Sequence, residues 1–258
     1  MAMASRAFNI KYFTVIYTGI LFAWGSLHFG RLEYFLSGAS IVLLYAAFDL
    51  LWTYIRDGAW YVPLSSFISG FILALVAFPA PGPFAVFFLP LLAVFSKQAI
   101  KLGGRHIFNP AAFSAAVFGS AWWGSAWGKE VLVTIIVVGL IIVFRQRRWE
   151  SIIAFFASYA LLSAALFVAE GKTAGEILLL LKPRLLDGTT IFFATVMLIE
   201  PLTTSFPGTR RRVVFSCLVA VVAVILSRGA LWLGTGAIDP LLGGLLIGNL
   251  VMTIALRR

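Results

Sequence analysis

The chain has 258 residues, 61% of them hydrophobic and 12% charged, with a net charge of +10 and a mean hydropathy of +1.00. These proportions lie outside the range of soluble domains, and apolar runs recur so closely that no stretch remains for a separate soluble catalytic domain. A cytoplasmic enzyme on a membrane anchor is thereby excluded. With one cysteine, Cys217, a disulfide scaffold and an iron–sulfur cluster held by this chain alone are excluded too.

In chain order, hydropathy marks ten segments, roughly 12–28, 35–55, 64–79, 84–96, 108–124, 131–144, 151–169, 188–206, 213–233 and 238–256. The first is too long for a removable signal peptide and reads as a span. Segments 64–79, 84–96 and 131–144 fall short of the about 20 residues that a simple spanning helix needs. Pro79, Pro81, Pro83, Pro90, Pro110, Pro201 and Pro240 sit in or at the ends of apolar runs. Proline removes a backbone donor, and in lipid the freed carbonyls must be met by protein or a lined cavity. Each break is therefore either an ordinary kink or a pointer to a site.

With the N-terminus placed in the cytoplasm, fourteen of the 20 basic residues fall on the inner side: Arg6, Lys11, Arg56, Lys97, Lys101, Arg105, Arg145, Arg147, Arg148, Arg210, Arg211, Arg212, Arg257 and Arg258. The outer side balances its charges, with Arg31, Lys129, Lys172, Lys182, Arg184 and Arg228 against six carboxylates. The excess follows the positive-inside rule. It predicts a multi-pass protein of the inner (plasma) membrane with both termini cytoplasmic, and it argues against a nucleic-acid partner, which would need the charge on one face.

The breaks recur. Phe108-Asn109-Pro110-Ala111 opens segment five, and Ile238-Asp239-Pro240-Leu241 opens segment ten. Segment three opens with Leu64-Ser65-Ser66 and segment eight with Gly188-Thr189-Thr190. The pairs lie five spans apart, and an odd repeat inverts its topology. The expectation is an all-α polytopic membrane protein, a single domain over 1–258, with about ten transmembrane helices in two inverted five-helix repeats, about 1–128 and 129–258.

Such architectures hold their ligand between helix breaks near the midplane. A carboxylate in hydrocarbon is costly, which makes Asp49 and Glu200 candidates; the alternative for Glu200 is an interfacial acid near the inner end of segment eight, close to Arg210, Arg211 and Arg212, and for Asp49 a structural hydrogen bond. The stretch from Lys97 to Phe113 is the most distinctive. Gly103 and Gly104 allow unusual backbone conformations, Arg105 offers a fork of donors, and the helix starting at Asn109-Pro110 offers amide donors. Together they suit an anionic or carbonyl-rich ligand. His106 reads as a ligand, a proton carrier or simply a hydrogen-bonding loop residue.

These stretches carry a family resemblance. PLSSFISGFILALVAFPAPGP, SKQAIKLGGRHIFNPAAFSAAVFG and LLDGTTIFFATVMLIEPLTTSFPGTRRR resemble the RnfD/NqrB family, membrane components of the Rnf electron-transport complex and of the Na+-translocating NADH:quinone reductase, over about residues 37–256. The resemblance implies a urea-transporter-like fold and a membrane component of a flavin-dependent electron-transport system, part of an ion-translocating oxidoreductase. The implied cofactors are FMN, covalent at Thr190, or riboflavin. The implied partners are other electron-transport subunits or a soluble acidic redox carrier, and a flavin transferase. Mapped residue by residue, Asp187, Gly188, Thr189 and Thr190 form the flavin-attachment element, while Gly104, Arg105, Asn109, Pro110 and Glu200 fall in the other two matched elements. Three positions depart from the pattern: Asp187 stands for serine, Thr189 for alanine, and Arg184 for the aspartate that the transferase recognises. Covalent flavin, non-covalent flavin and no flavin therefore stay open, with Thr189 and Thr190 as a helix cap in the last case. A channel or transporter for a small neutral solute is the competing class, because fold alone does not decide function.

Overall fold

The computed structural model describes residues 10–28, 31–77, 82–118, 132–201, 203–204, 206–229, 232–233 and 236–256. The expectations at Pro79, Pro81, Lys129, Arg6, Arg257 and Arg258, and for the end of segment five, lie outside the described residues. Within them the chain is all-α, with eleven α-helices, one π-helical turn and two short hairpins.

The chain opens with α1 (Ile10–His28) and α2 (Leu32–Asp57), then α3 (Leu64–Val76) and α4 (Pro83–Ala99). Gly58 ends α2 at φ 65°, its amide donating to Tyr54 O at 2.8 Å, as a left-handed helix cap requires. Proline opens α4, where a missing N–H costs nothing. The hairpin β1 (Lys101–Leu102) and β2 (Arg105–His106) leads into α5 (Pro110–Phe118), whose Ser114 hydroxyl donates to Leu89 O at 2.6 Å, next to Pro90, which α4 carries inside an unbroken helix.

The second half runs through α6 (Leu132–Gln146), α7 (Trp149–Ala169), α8 (Ala174–Leu186) and α9 (Gly188–Phe192), which continues as a π turn over Phe193–Met197. Next come α10 (Thr209–Leu226), the hairpin β3 (Trp232–Leu233) and β4 (Gly236–Ala237), and α11 (Pro240–Ala255). Both hairpins are antiparallel, with Lys101 facing His106 and Trp232 facing Ala237.

Helix α2 packs on α3 and α4, and α4 on α5; in the second half α7 packs on α10, and α10 on α11. Helices α5 and α11 meet each other, as do α1 and α6. The core is centred on two short elements: most of α3 from Ser66 onward and the whole run 188–199 are buried. The longer helices turn apolar side chains outward, among them Ile16, Ile20, Leu43, Val137, Ile153 and Leu161. By length and composition, α2 and α7 can each cross a membrane, while α3, α4, α6, α9 with its π turn, and α11 are apolar but shorter.

Two expected segments are corrected. Residues 170–187, which hydropathy left between the seventh and eighth segments, contain α8, started by a reciprocal capping box between Thr173 and Glu176; its mixed charges hide it from a hydropathy window, and none of its residues is buried. Segment 188–206 is helical only to Met197. Pro201 and Pro207 cannot donate to a helical ladder, and the described residues between Leu198 and Gly208 form turns and bends instead.

Candidate functional site

Asp49 lies inside the apolar helix α2 and is 0% exposed. A lone carboxylate there would be costly, so the surrounding helices must supply donors. Lys97 Nζ, at the end of α4, donates to Oδ2 at 2.7 Å, and Gln98 Nε2 donates to Oδ1 at 2.6 Å. The Tyr61 and Ser66 hydroxyls also donate to Oδ2. Lys97 reaches Ser65 Oγ at 3.2 Å, while Gln98 Oε1 accepts from Arg56 Nη1 at 2.8 Å and from Lys101 Nζ at 3.0 Å. Sequence reasoning singled out Asp49 but not Lys97, Gln98, Ser65, Ser66 or Tyr61 as its shell. The available signal was the polar pairs Ser65-Ser66 and Lys97-Gln98 at helix ends, since a buried acid needs partners at such places.

The second cluster joins the two halves. Asn109, 2% exposed, uses its Oδ1 to accept from Ala112 N at 3.0 Å, capping α5. Its Nδ2 donates to Glu200 Oε2 at 2.9 Å, and Thr203 Oγ1 donates to the same oxygen at 2.8 Å. The Thr204 hydroxyl holds Glu200 O at 2.7 Å. Arg212 does not take Glu200: it pairs with Glu150, its Nε 2.8 Å from Oε1, and Arg148 Nη1 donates to Thr204 O at 3.2 Å. Glu200 thus sits in a turn held from both sides, in contact with the other half.

Between the clusters lies a cavity of about 240 Å³, lined by α1, α3, α6 and the Val196–Pro201 turn, with Ser65 and Glu200 in its wall. It is mainly apolar, as small-molecule pockets usually are.

The remaining expected residues are distributed unevenly. Gly103 and Gly104 form the exposed hairpin turn at φ 57° and 78°, and Arg105 is exposed beside them, whereas Asn109 and Pro110 are buried. Because Pro110 has no N–H and Asn109 occupies the Ala112 amide, the helix start keeps few donors for a ligand. Burial, reinforced by the charges of Lys97 and Lys101, pushes the His106 imidazole down to about 4; its Nε2 is buried and has no hydrogen-bond partner among the described residues.

Asp187, Gly188, Thr189 and Thr190 lie at the start of α9, packed against α6 and α8. Asp187 Oδ2 accepts from Thr189 N at 3.0 Å and caps the helix. The Thr189 hydroxyl is buried and unpartnered among the described residues, and Thr190 is 5% exposed. A phosphoester at Thr190 needs that oxygen in reach of a transferase and room for a large ring system, so this packed arrangement does not fit covalent FMN. No family model and no curated protein matches the chain.

Proposed function

We propose that the chain is a multi-pass inner-membrane component of a flavin-dependent electron-transport system of the Rnf and Na+-translocating NADH:quinone reductase type, built as two inverted five-helix repeats. The observation that carries it is the Asn109–Glu200 hydrogen bond, which unites the Phe-Asn-Pro-Ala element with the Ile-Glu-Pro element 91 residues away. In this reading these are the two helix breaks that meet at the centre. The recurring order of hairpin, proline-started helix and matched helix contacts in the two halves supports the repeat. The pairs Arg212–Glu150 and Arg228–Glu170 each join residues expected on one side, which supports the topology.

The proposal includes FMN or riboflavin held by the chain, with Thr190 as the covalent acceptor only if α9 leaves its seat. Bound flavin would supply the electron carrier; the chain supplies position and field. The partners proposed are neighbouring subunits or a soluble acidic carrier steered by the basic end. The test is a visible spectrum of the detergent-purified protein, produced with a flavin transferase, followed by in-gel flavin fluorescence with Thr190→Ala as control. Yellow protein is the expected result. A fluorescent band lost in Thr190→Ala places the flavin at Thr190, and colour without a band places it non-covalently. Colourless protein after flavin supplementation overturns the redox reading.

One observation favours a second reading, a pathway for a small neutral solute: polar groups from both halves, Ser65 and Glu200, face one cavity. Solute flux in proteoliposomes that Glu200→Gln alters would support it.

A further inference from the structure

We propose that the end of the bundle formed by residues 145–150 and 208–212 binds an anionic phospholipid, its phosphate on the arginines and one acyl chain along α6. The site rests on the membrane reading above. Six arginines gather there: Arg145, Arg147 and Arg148 around the α6–α7 turn and Arg210, Arg211 and Arg212 at the start of α10. The two groups are held together by the Arg212–Glu150 ion pair and by Arg148 bonding to Thr204 O in the preceding turn. Glu150 is the one carboxylate in either stretch, and it is committed to Arg212. Arg145, Arg147, Arg210 and Arg211 all remain exposed, an unbalanced positive patch.

Arg147 takes a left-handed backbone, φ 52°, at a helix end closed by Arg148 N donating to Val143 O at 3.1 Å. That turn lets α6 end and α7 begin within three residues, which keeps Arg145 and Arg147 within four residues of Trp149, 56% exposed. Exposed tryptophan beside arginine is the composition of a membrane–water boundary.

Below Arg145 one face of α6 is open and apolar, formed by Leu140, Ile141 and Phe144. An apolar face that ends at a guanidinium is complementary to a chain that ends at a phosphate. Arginine suits this ligand because its planar fork pairs two oxygens of a phosphodiester and is weakly hydrated. A neutral zwitterionic lipid would bring a choline into the same positive field. Free phosphate would leave the apolar face uncovered. The chemistry therefore selects an anionic lipid such as phosphatidylglycerol.

The experiment uses the full chain in detergent. Thermal unfolding is followed while phosphatidylglycerol, phosphatidylcholine or sodium phosphate is added, for the parent, for Arg145→Gln/Arg211→Gln, and for Arg31→Gln at a distant exposed pair. Phosphatidylglycerol is expected to raise the unfolding temperature of the parent and of Arg31→Gln, while the other additions do not. At about fivefold per arginine lost, half-saturation in the double variant should need roughly 25-fold more lipid. An equal response to phosphatidylcholine, a response to phosphate alone, or an unchanged titration in the double variant overturns the site. Flotation with phosphatidylcholine vesicles reads the membrane proposal separately: failure to float overturns both, whereas flotation without a phosphatidylglycerol response overturns this site alone.

Discussion

The stretch from α4 through its hairpin to α5 and the stretch from α10 through its hairpin to α11 share one local plan and use it differently. Each ends in a proline-started helix capped by the residue before the proline: Asn109 accepts from Ala112 N, and Asp239 accepts from Leu241 N at 2.9 Å and Leu242 N at 3.1 Å. An amide has donors left after capping, whereas an ionised carboxylate only accepts. Asn109 can therefore also hold Glu200. The cations differ in the same way. Lys97 at the end of α4 turns inward to the fully buried Asp49, while Arg228, just past α10, pairs with Glu170 with half of its side chain exposed. One backbone plan thus carries a buried polar centre in the first half and a peripheral clasp in the second.

The strongest way to break this comparison is Lys97→Met. Removing one partner of a buried pair leaves an uncompensated charge, so a loss of about 3–5 kcal/mol is expected, read as a large fall in unfolding temperature in detergent. Recovery of most of that loss in Lys97→Met/Asp49→Leu would show that the unpaired carboxylate is the cause.

Asn109→Asp comes next. It keeps the cap but replaces the donor to Glu200 by a second carboxylate, and the cost should be about 2–3 kcal/mol. A neutral outcome at pH 7 would mean that the two halves do not depend on this bond.

His106 separates the hairpins by pH, since the paired position in the second hairpin is Ala237. The groups acting on the imidazole are Lys97 and Lys101, which disfavour its charge, and Asp49, which favours it. With a native value of about 4 against an unfolded value near 6.5, the unfolded chain binds more protons between these limits. This contribution is complete above pH 6.5 and is lost as pH falls toward 4. It amounts to about 1–3 kcal/mol. Unfolding temperature measured from pH 7 to 4 should fall less steeply in His106→Gln.

The smallest effects belong to the second half. Asp239→Asn preserves the cap, because the two residues cap helices about equally well, and Arg228→Gln removes a largely solvated pair; each should cost less than about 1 kcal/mol. A loss from either that matched Lys97→Met would erase the distinction between centre and clasp.

Much of the fold was legible because apolar runs and prolines act locally. The starts of α3, α5, α7 and α11 fall within two residues of the expected segments, and Asn109-Pro110 and Asp239-Pro240 both open helices. Helix α8 was illegible because Glu176, Lys182, Pro183 and Arg184 hem in its short apolar run from Ile177 to Leu181. The shell of Asp49 was illegible because Ser66, Lys97 and Gln98 lie 17 to 49 residues away, and nothing local says which donors will arrive. Glu200 was legible as a costly acid, but its partner was not: arginines ten residues on looked nearer than an asparagine 91 residues back.

By itself the sequence determined an apolar, helical chain, the places where its helices must break, and the side chains too costly to leave unpaired. These follow from hydration and backbone donors, which each residue carries with it. Only the tertiary structure decided that Asp49 goes to Lys97, that Glu200 goes to Asn109 rather than to Arg212, and that Thr190 is packed away. Pairing depends on which helix ends come within about 3 Å of each other, and that is fixed by the packing of the whole bundle rather than by any one segment.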